Sequence, residues 1–317
     1  PDLQPRIQVG LFNIMEEKFV QIRGFSVRIP LDVMMVFTAN PEDYTNRGNI
    51  ITPLKDRIDS QIITHYPLAL EDGIEITEQE ALMNRDGKEI LIPYFFKEII
   101  ESIAFEARKS EYVDQKSGVS ARLTISAMEN LVSNAERRAI INGEGKIVPR
   151  ICDLQRVLPS MTGKMELVFE GEQEGSLKVS KAMIGKAVRE VFKFYFPDPT
   201  LKKNERSTEQ RETRSASRKT EFDEIVRWFE SGNALELSDE MKTEDYIDAL
   251  EQVPTLRDIA KKYMKVNERD TEVLASTMEF VLDGLHQFSK IARDEVDNKI
   301  SYKDMVSSIF VPGREED

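Results

Sequence analysis

The chain has 317 residues, 40 % of them hydrophobic and 32 % charged, with a net charge of −13. That length suits about two domains of ordinary size, and the composition is that of a globular protein with exposed helices. The acidic balance argues against broad binding to nucleic acid or anionic lipid, so neither nucleic acid nor membrane is expected as a partner.

No apolar run approaches the roughly 20 residues of a membrane span. The opening PDLQPRIQVG lacks the basic start and apolar block of a signal peptide. Cys152 is the only cysteine, so no disulfide within the chain is possible and a reducing cytoplasm is the expected location.

Residues 1–70 read as α/β. Ile7, Leu11, Ile14 and Met15 fall at i, i+4, i+7 and i+8, which predicts a helix over Leu3–Glu17. A chain that opens in the first turn of a helix, without an initiator Met, reads as a fragment. In FVQIRGFSVRIP, Val20 and Ile22 alternate, Gly24 interrupts, and Val27 and Ile29 alternate again, the pattern of a hairpin. DVMMVF is a short continuous apolar run, as in a strand buried on both faces of a parallel sheet, and Asn40-Pro41 closes it. Pro53 opens a short helical turn in GNIITPLKDRI. SQIITHYP reads as a further strand, ended by Pro67.

Residues 71–197 read as helical. LIPYFFKEIIESIAFEARKS puts Phe95, Ile99, Ser102, Ile103 and Phe105 on one face, and TISAMENLVSNAERRAI does the same with Ile125, Met128, Val132, Ala135 and Ala139. Between them SGVSAR is a Ser/Gly turn that feeds a helix N-terminus. SKAMIGKAVREVFKFYF gives a third helix, stopped by PDP. Residues 198–220 read as a flexible basic linker, for Thr200–Thr220 carries seven Lys/Arg against three Glu and no apolar period. A solvated tether outweighs a docking segment for an acidic partner.

Residues 221–317 read as an acidic, all-helical bundle built from EFDEIVRWFESG, DYIDALEQV, TLRDIAKKYMK, DTEVLASTMEFVLDGLHQFSKIARD and SYKDMVSSIF. The expected fold class is therefore α/β followed by all-α.

Several chemistries are excluded. A phosphate loop needs Gly-x-x-x-x-Gly-Lys-Ser/Thr, and none of the pairs Gly87-Lys88, Gly145-Lys146, Gly163-Lys164 and Gly185-Lys186 has that context. An apolar strand ending in Asp-Glu, the usual magnesium holder, is absent too. One cysteine with two distant histidines, His65 and His286, cannot make a zinc site, and no metal ligand is expected. No nucleophile-elbow sequence supports a Ser/His/Asp triad.

Three residues stand out. Asn40 ends the apolar run, and ligands of open α/β sheets bind beyond the carboxyl ends of strands; an ordinary Asn-Pro turn is the commoner reading. Arg57 follows the short helical turn in PLKDRID, where it could neutralise charge in a neighbouring subunit's site or simply pair with Asp56, Asp59 or Glu42. Arg47 carries the same ambiguity. Arg122 falls at a helix start, where backbone amides also face outward, so that it could meet a phosphate or be an ordinary exposed arginine.

In this order the residues resemble the magnesium-chelatase-type and MoxR-like branch of AAA+ ATPases. VFTANPEDYTNRGNIITPLKDRIDSQIITHYP resembles that branch's post-strand signature. GVSARLTISAMENLVSNAERRAI resembles its lid helix, and VPRICDLQRVLPSMTGKMELVFEGEQEG its lid more weakly. The likeness covers residues 1–197.

It implies a partial AAA+ core with an incomplete parallel sheet, a helical lid domain, and a C-terminal helical bundle outside the family match. Asn40 would be sensor 1, Arg57 the arginine finger acting on ATP of the next subunit, and Arg122 sensor 2. The hairpin around Phe19–Pro30 would be the pre-sensor-1 insertion. PDL at the start resembles residues just after the Walker B acids, so the Walker motifs are expected upstream of residue 1. The cofactors implied are ATP and Mg2+ in the intact protein, with neither bound tightly by this chain.

The partners implied are other copies of the chain in a homo-oligomeric, hexameric ring, and a von Willebrand A-domain protein that holds a metal. The task would be metal insertion into a tetrapyrrole or remodelling of another client. The alternative is a degenerate, non-enzymatic scaffold that binds a partner through its helical C-terminus. A transcription regulator would want a basic helix-turn-helix, which the acidic C-terminal region does not offer.

Overall fold

A computed structural model describes residues 5–17, 19–28, 34–38, 52–84, 88–200, 220–267, 269–296 and 299–305. The chain divides into two compact units, Pro1–His65 and Tyr66–Asp317.

In the first unit, helix α1 (Pro5–Glu17) leads into a hairpin of β1 (Phe19–Ile22) and β2 (Phe25–Arg28). Phe19 pairs with Arg28 and Ile22 with Phe25. Arg23 and Gly24 both have positive φ, 50° and 88°, the two-residue turn whose twist matches the flanking strands. The short helix α2 (Thr52–Lys55) follows, with Leu54 buried.

The parallel sheet expected around this hairpin is not formed among the described residues. Residues 34–38 and 58–67 are irregular rather than strand, and Met34, Val36, Ile62 and Ile63 are exposed. The reason is physical. A strand satisfies its N–H and C=O groups only through a neighbour, and the described strands of this unit, β1 and β2, pair with each other.

The second unit is mainly helical, with α3 (Leu70–Glu80), α4 (Tyr94–Lys109), α5 (Arg122–Asn142), a 3-10 helix (Ile151–Val157), α6 (Leu158–Thr162), α7 (Phe169–Glu174) and α8 (Ser176–Tyr195). A two-residue parallel ladder joins β3 (Glu89–Ile90) to β4 (Lys146–Ile147). After residue 220 come α9 (Asp223–Glu230), β5 (Leu235–Ser238), α10 (Thr243–Glu251), α11 (Leu256–Met264), α12 (Thr271–Gln287), β6 (Ala292–Val296) and β7 (Lys299–Lys303).

The helical faces read from the sequence are buried in α4 and α5, with Phe105 and Ile125 only half-buried. α5 ends where Gly143 takes φ 70°. Gly143 N–H donates to Ile140 O and Glu144 N–H to Ala139 O, so the last carbonyls are satisfied.

The region after residue 220 is not all-helical. β5, β7 and β6 form an antiparallel sheet in that order, with Leu235 opposite Tyr302 and Leu237 opposite Ile300. In KISYK the apolar Ile300 and Tyr302 alternate with polar residues, a period of two that points one face into the core. Nor does this region keep a core of its own. The Phe280 ring of α12 stacks on Phe95 of α4 at 4.5 Å, and its centroid lies 6.0 Å from that of Phe192 of α8. α12 is buried on all sides along most of its length, as a helix at the centre of a large core must be.

Candidate functional site

Of the three residues singled out by sequence, Asn40 lies outside the described residues, as do Arg47 and most of the basic segment 198–220. Arg57 belongs to the first unit and follows α2. Its Nη1 donates to Pro53 O at 2.8 Å, its Nε lies 2.8 Å from Glu16 Oε1, and its guanidinium sits 4.8 Å above the Phe12 ring. Among the described residues the ion-pair partner is thus Glu16 of α1, not Asp56 or Asp59; Glu42 lies outside them. A guanidinium held on three sides is positioned by its own chain.

Arg122 is the first residue of α5 and is exposed, and its guanidinium makes no hydrogen bond or ion pair among the described residues. The turn that delivers it is firmly held. Val119 N–H donates to Tyr66 Oη at 3.1 Å, and Arg108 donates from Nε and Nη2 to Val119 O, each at 3.3 Å. The Arg108 guanidinium lies 4.2 Å over the Tyr66 ring. Gly118 takes φ 68°, and a Cβ there would collide with the Tyr66 hydroxyl.

Behind the turn, burial raises the pKa of the Glu101 carboxyl, with Arg108 pulling the other way. A free guanidinium at the start of a 21-residue helix fits contact with an anion such as a phosphate. Among the described residues no group of three or more acidic, His or Cys side chains could hold a metal ion.

The second unit also holds a polar centre that the sequence reading missed. A cleft of about 600 Å³ opens between the C-terminal turn of α5, the segment 143–150, and the starts of α10 and α12. Glu144 Oε1 accepts from Thr243 N–H at 2.8 Å and so caps α10. Arg150 donates to Met241 O at 2.7 Å and to Thr243 Oγ1 at 3.1 Å, with its guanidinium 4.1 Å over the Tyr246 ring.

Beneath, Asp153 is fully buried. It accepts from Arg138 Nη1 at 2.6 Å and Nη2 at 3.0 Å, from Asn134 at 2.7 Å, and from Arg150 N–H at 2.7 Å. Burial works against the charge on Arg138, and Asp153 more than offsets it. Burial and then Arg138 push the pKa of Arg150 down. Arg156 and Arg137 both reach Asp239 Oδ2, at 2.8 and 3.3 Å, and tie the loop before α10 to α5 and the 3-10 helix.

These cations are committed to partners. Cys152 is buried, and burial followed by the charge of Glu279 pushes its thiol well up, so it offers no thiolate. The centre is a clamp rather than a reactive constellation. Its signal in the sequence was a charged residue in a core row: Arg138 follows Leu131 and Ala135 at helical spacing, and Glu279 and Asp283 sit inside the apolar run of α12.

No family model, curated protein or solved structure matches this chain. Among the described residues no helix is long and apolar enough to cross a membrane.

Proposed function

We propose that this chain carries the responsive half of a ring-forming AAA+ ATPase of the magnesium-chelatase or MoxR-like kind. ATP and Mg2+ are gripped by motifs outside these 317 residues. When bound, the metal supplies charge neutralisation at the transferring phosphoryl group. Arg122 contacts the terminal phosphate, Asn40 orients the attacking water, and Arg57 reaches the nucleotide of a neighbouring copy. The second unit turns with the nucleotide state and passes the motion to a client, either a metal-holding von Willebrand A-domain protein or another target. A cytoplasmic location goes with this reading.

The observation that carries it is Arg122, whose guanidinium has no partner among the described residues, at the start of α5 on a turn braced by Tyr66 and Arg108. One charge-assisted hydrogen bond to phosphate is worth roughly 1.5–3 kcal/mol. Arg122→Ala in the intact protein is therefore expected to lower ATP turnover about 10–100-fold. Lys116→Ala, an exposed cation on the same loop, leaves it unchanged. Equal turnover in the two variants overturns the assignment.

A second reading is favoured by one specific observation, the ion pair of Arg57 with Glu16. An arginine spent inside its own unit suits a non-enzymatic scaffold of the same fold that binds a partner through its helical C-terminal region. That reading expects no loss of turnover from either arginine.

A further inference from the structure

We infer that Glu279 is a proton-operated latch on the wall of the cleft: protonated, it holds α10 against α12, and on losing its proton to solvent it loosens that wall.

The geometry is that of a joint among three elements. Glu279 of α12 is fully buried. Its Oε2 accepts from Tyr246 Oη of α10 at 2.6 Å and from Ile151 N–H of the 3-10 helix at 2.8 Å. Its Oε1 is buried and accepts from no donor among the described residues. Tyr246 is also part of the cleft lining, with the Arg150 guanidinium stacked on its ring. The carboxyl thus connects the cleft surface to the core through one phenol.

The two protonation states differ at Oε1. A proton there leaves both bonds to Oε2 intact and removes a buried charge. Without the proton, a charged oxygen faces no donor, a state whose cost is relieved by admitting water. Oε1 lies in a joint closed by Tyr246 of α10 and Ile151 of the 3-10 helix, so loosening either contact to α12 opens it to water.

Charged and titratable groups surround Glu279 from several elements. α10 presents Tyr246, and the 3-10 helix presents Cys152 and Asp153. Arg138 of α5 is spent on Asp153, and Arg150 on the loop before α10. β6 contributes Arg293, whose Nη1 bonds Asp283 at 2.6 Å, one turn along α12, while its Nε has no partner among the described residues. β7 contributes Tyr302, whose hydroxyl also lacks one among them. α4 and α8 set the rings of Phe95 and Phe192 against the neighbouring Phe280, and the buried side chains of α11 are the apolar Leu256, Ile259 and Ala260.

Burial pushes Glu279 up to about 7, against the pull of Tyr246 and Arg293. Tyr246 and Cys152 are both pushed well above their ordinary values, so neither changes charge near neutrality.

Between about pH 4.5 and 7 the closed state holds a proton that the opened state releases, so opening becomes easier as pH rises through this range and levels off above it. With these two values the opening equilibrium grows about tenfold from pH 6 to pH 8.5.

Amide hydrogen exchange of Thr243–Glu251, corrected for the intrinsic pH effect, reads this directly. Wild type is expected to open about tenfold more at pH 8.5 than at pH 6. Glu279→Gln, which carries an N–H₂ where the proton sits, is expected to be flat. An equal rise in Glu279→Gln overturns the latch. Should that variant not fold, Tyr246→Phe decides. Its lost phenol bond favours the protonated carboxyl, so the midpoint of the rise moves to higher pH, and an unmoved midpoint overturns the proposal.

Discussion

The two units treat apolar sequence in opposite ways. In the first, Met34, Val36, Ile62 and Ile63 are 86, 76, 90 and 79 % exposed. In the second, Phe95, Phe96, Ile99 and Ile100 are at most 1 % exposed. Hydrophobicity does not separate the two sets. A helix closes its own backbone hydrogen bonds, so α4 needs only a face to pack against, which α8, α5 and α12 supply. An apolar strand needs a neighbour along its whole edge, and the runs before Asn40 and after Arg57 have none among the described residues. The second unit has an extended apolar core, whereas among the described residues of the first, which carries two of the three candidate site residues, Leu54 is the one buried apolar side chain.

That contrast can be broken by substitution. The largest effect is expected from Phe280→Ala, which empties the place where α4, α8 and α12 meet. It should cost about 3–5 kcal/mol in urea unfolding followed by the single tryptophan, Trp228. A cost under 1 kcal/mol would mean that residues 71–197 and 221–303 do not share one core. Gly118→Ala comes next, at about 1–3 kcal/mol, because its backbone sits at φ 68° and the Tyr66 hydroxyl fills the Cβ position. Ile62→Ser should change stability by no more than about 0.5 kcal/mol. A larger loss would show that this segment is packed in solution.

Much of the second unit was legible in the sequence, because the apolar rows of α4, α5, α8 and α12 carry the helical period themselves. What was not legible depended on distant partners. SYKDMVSSIF read as helix, yet its first three residues belong to β7, where Tyr302 faces the core with β5 and β6 on either side; residues 306–310 lie outside the described residues. The separate C-terminal bundle dissolved for the same reason: nothing in MEFVLDGL says that Phe280 meets Phe95 across a gap of more than 180 residues. The hairpin was legible from Gly24. At the candidate site, the helix start at Arg122 was legible from the Ser/Gly turn before it. The pairing of Arg57 with Glu16 was not, since it required the fold of α1 against α2.

Arg57 is where the account is most exposed. As a half-exposed ion pair it contributes little to folding, and Arg57→Ala should cost at most about 1 kcal/mol. As an arginine finger it would contribute far more to catalysis, on the order of 10³-fold in turnover. The deciding measurement is ATP turnover of the proposed ring-forming ATPase with and without Arg57→Ala, with nucleotide binding measured alongside. The expected result is a loss of about 10³-fold with binding retained. Unchanged turnover would contradict the account and leave Arg57 as a surface ion pair of a scaffold.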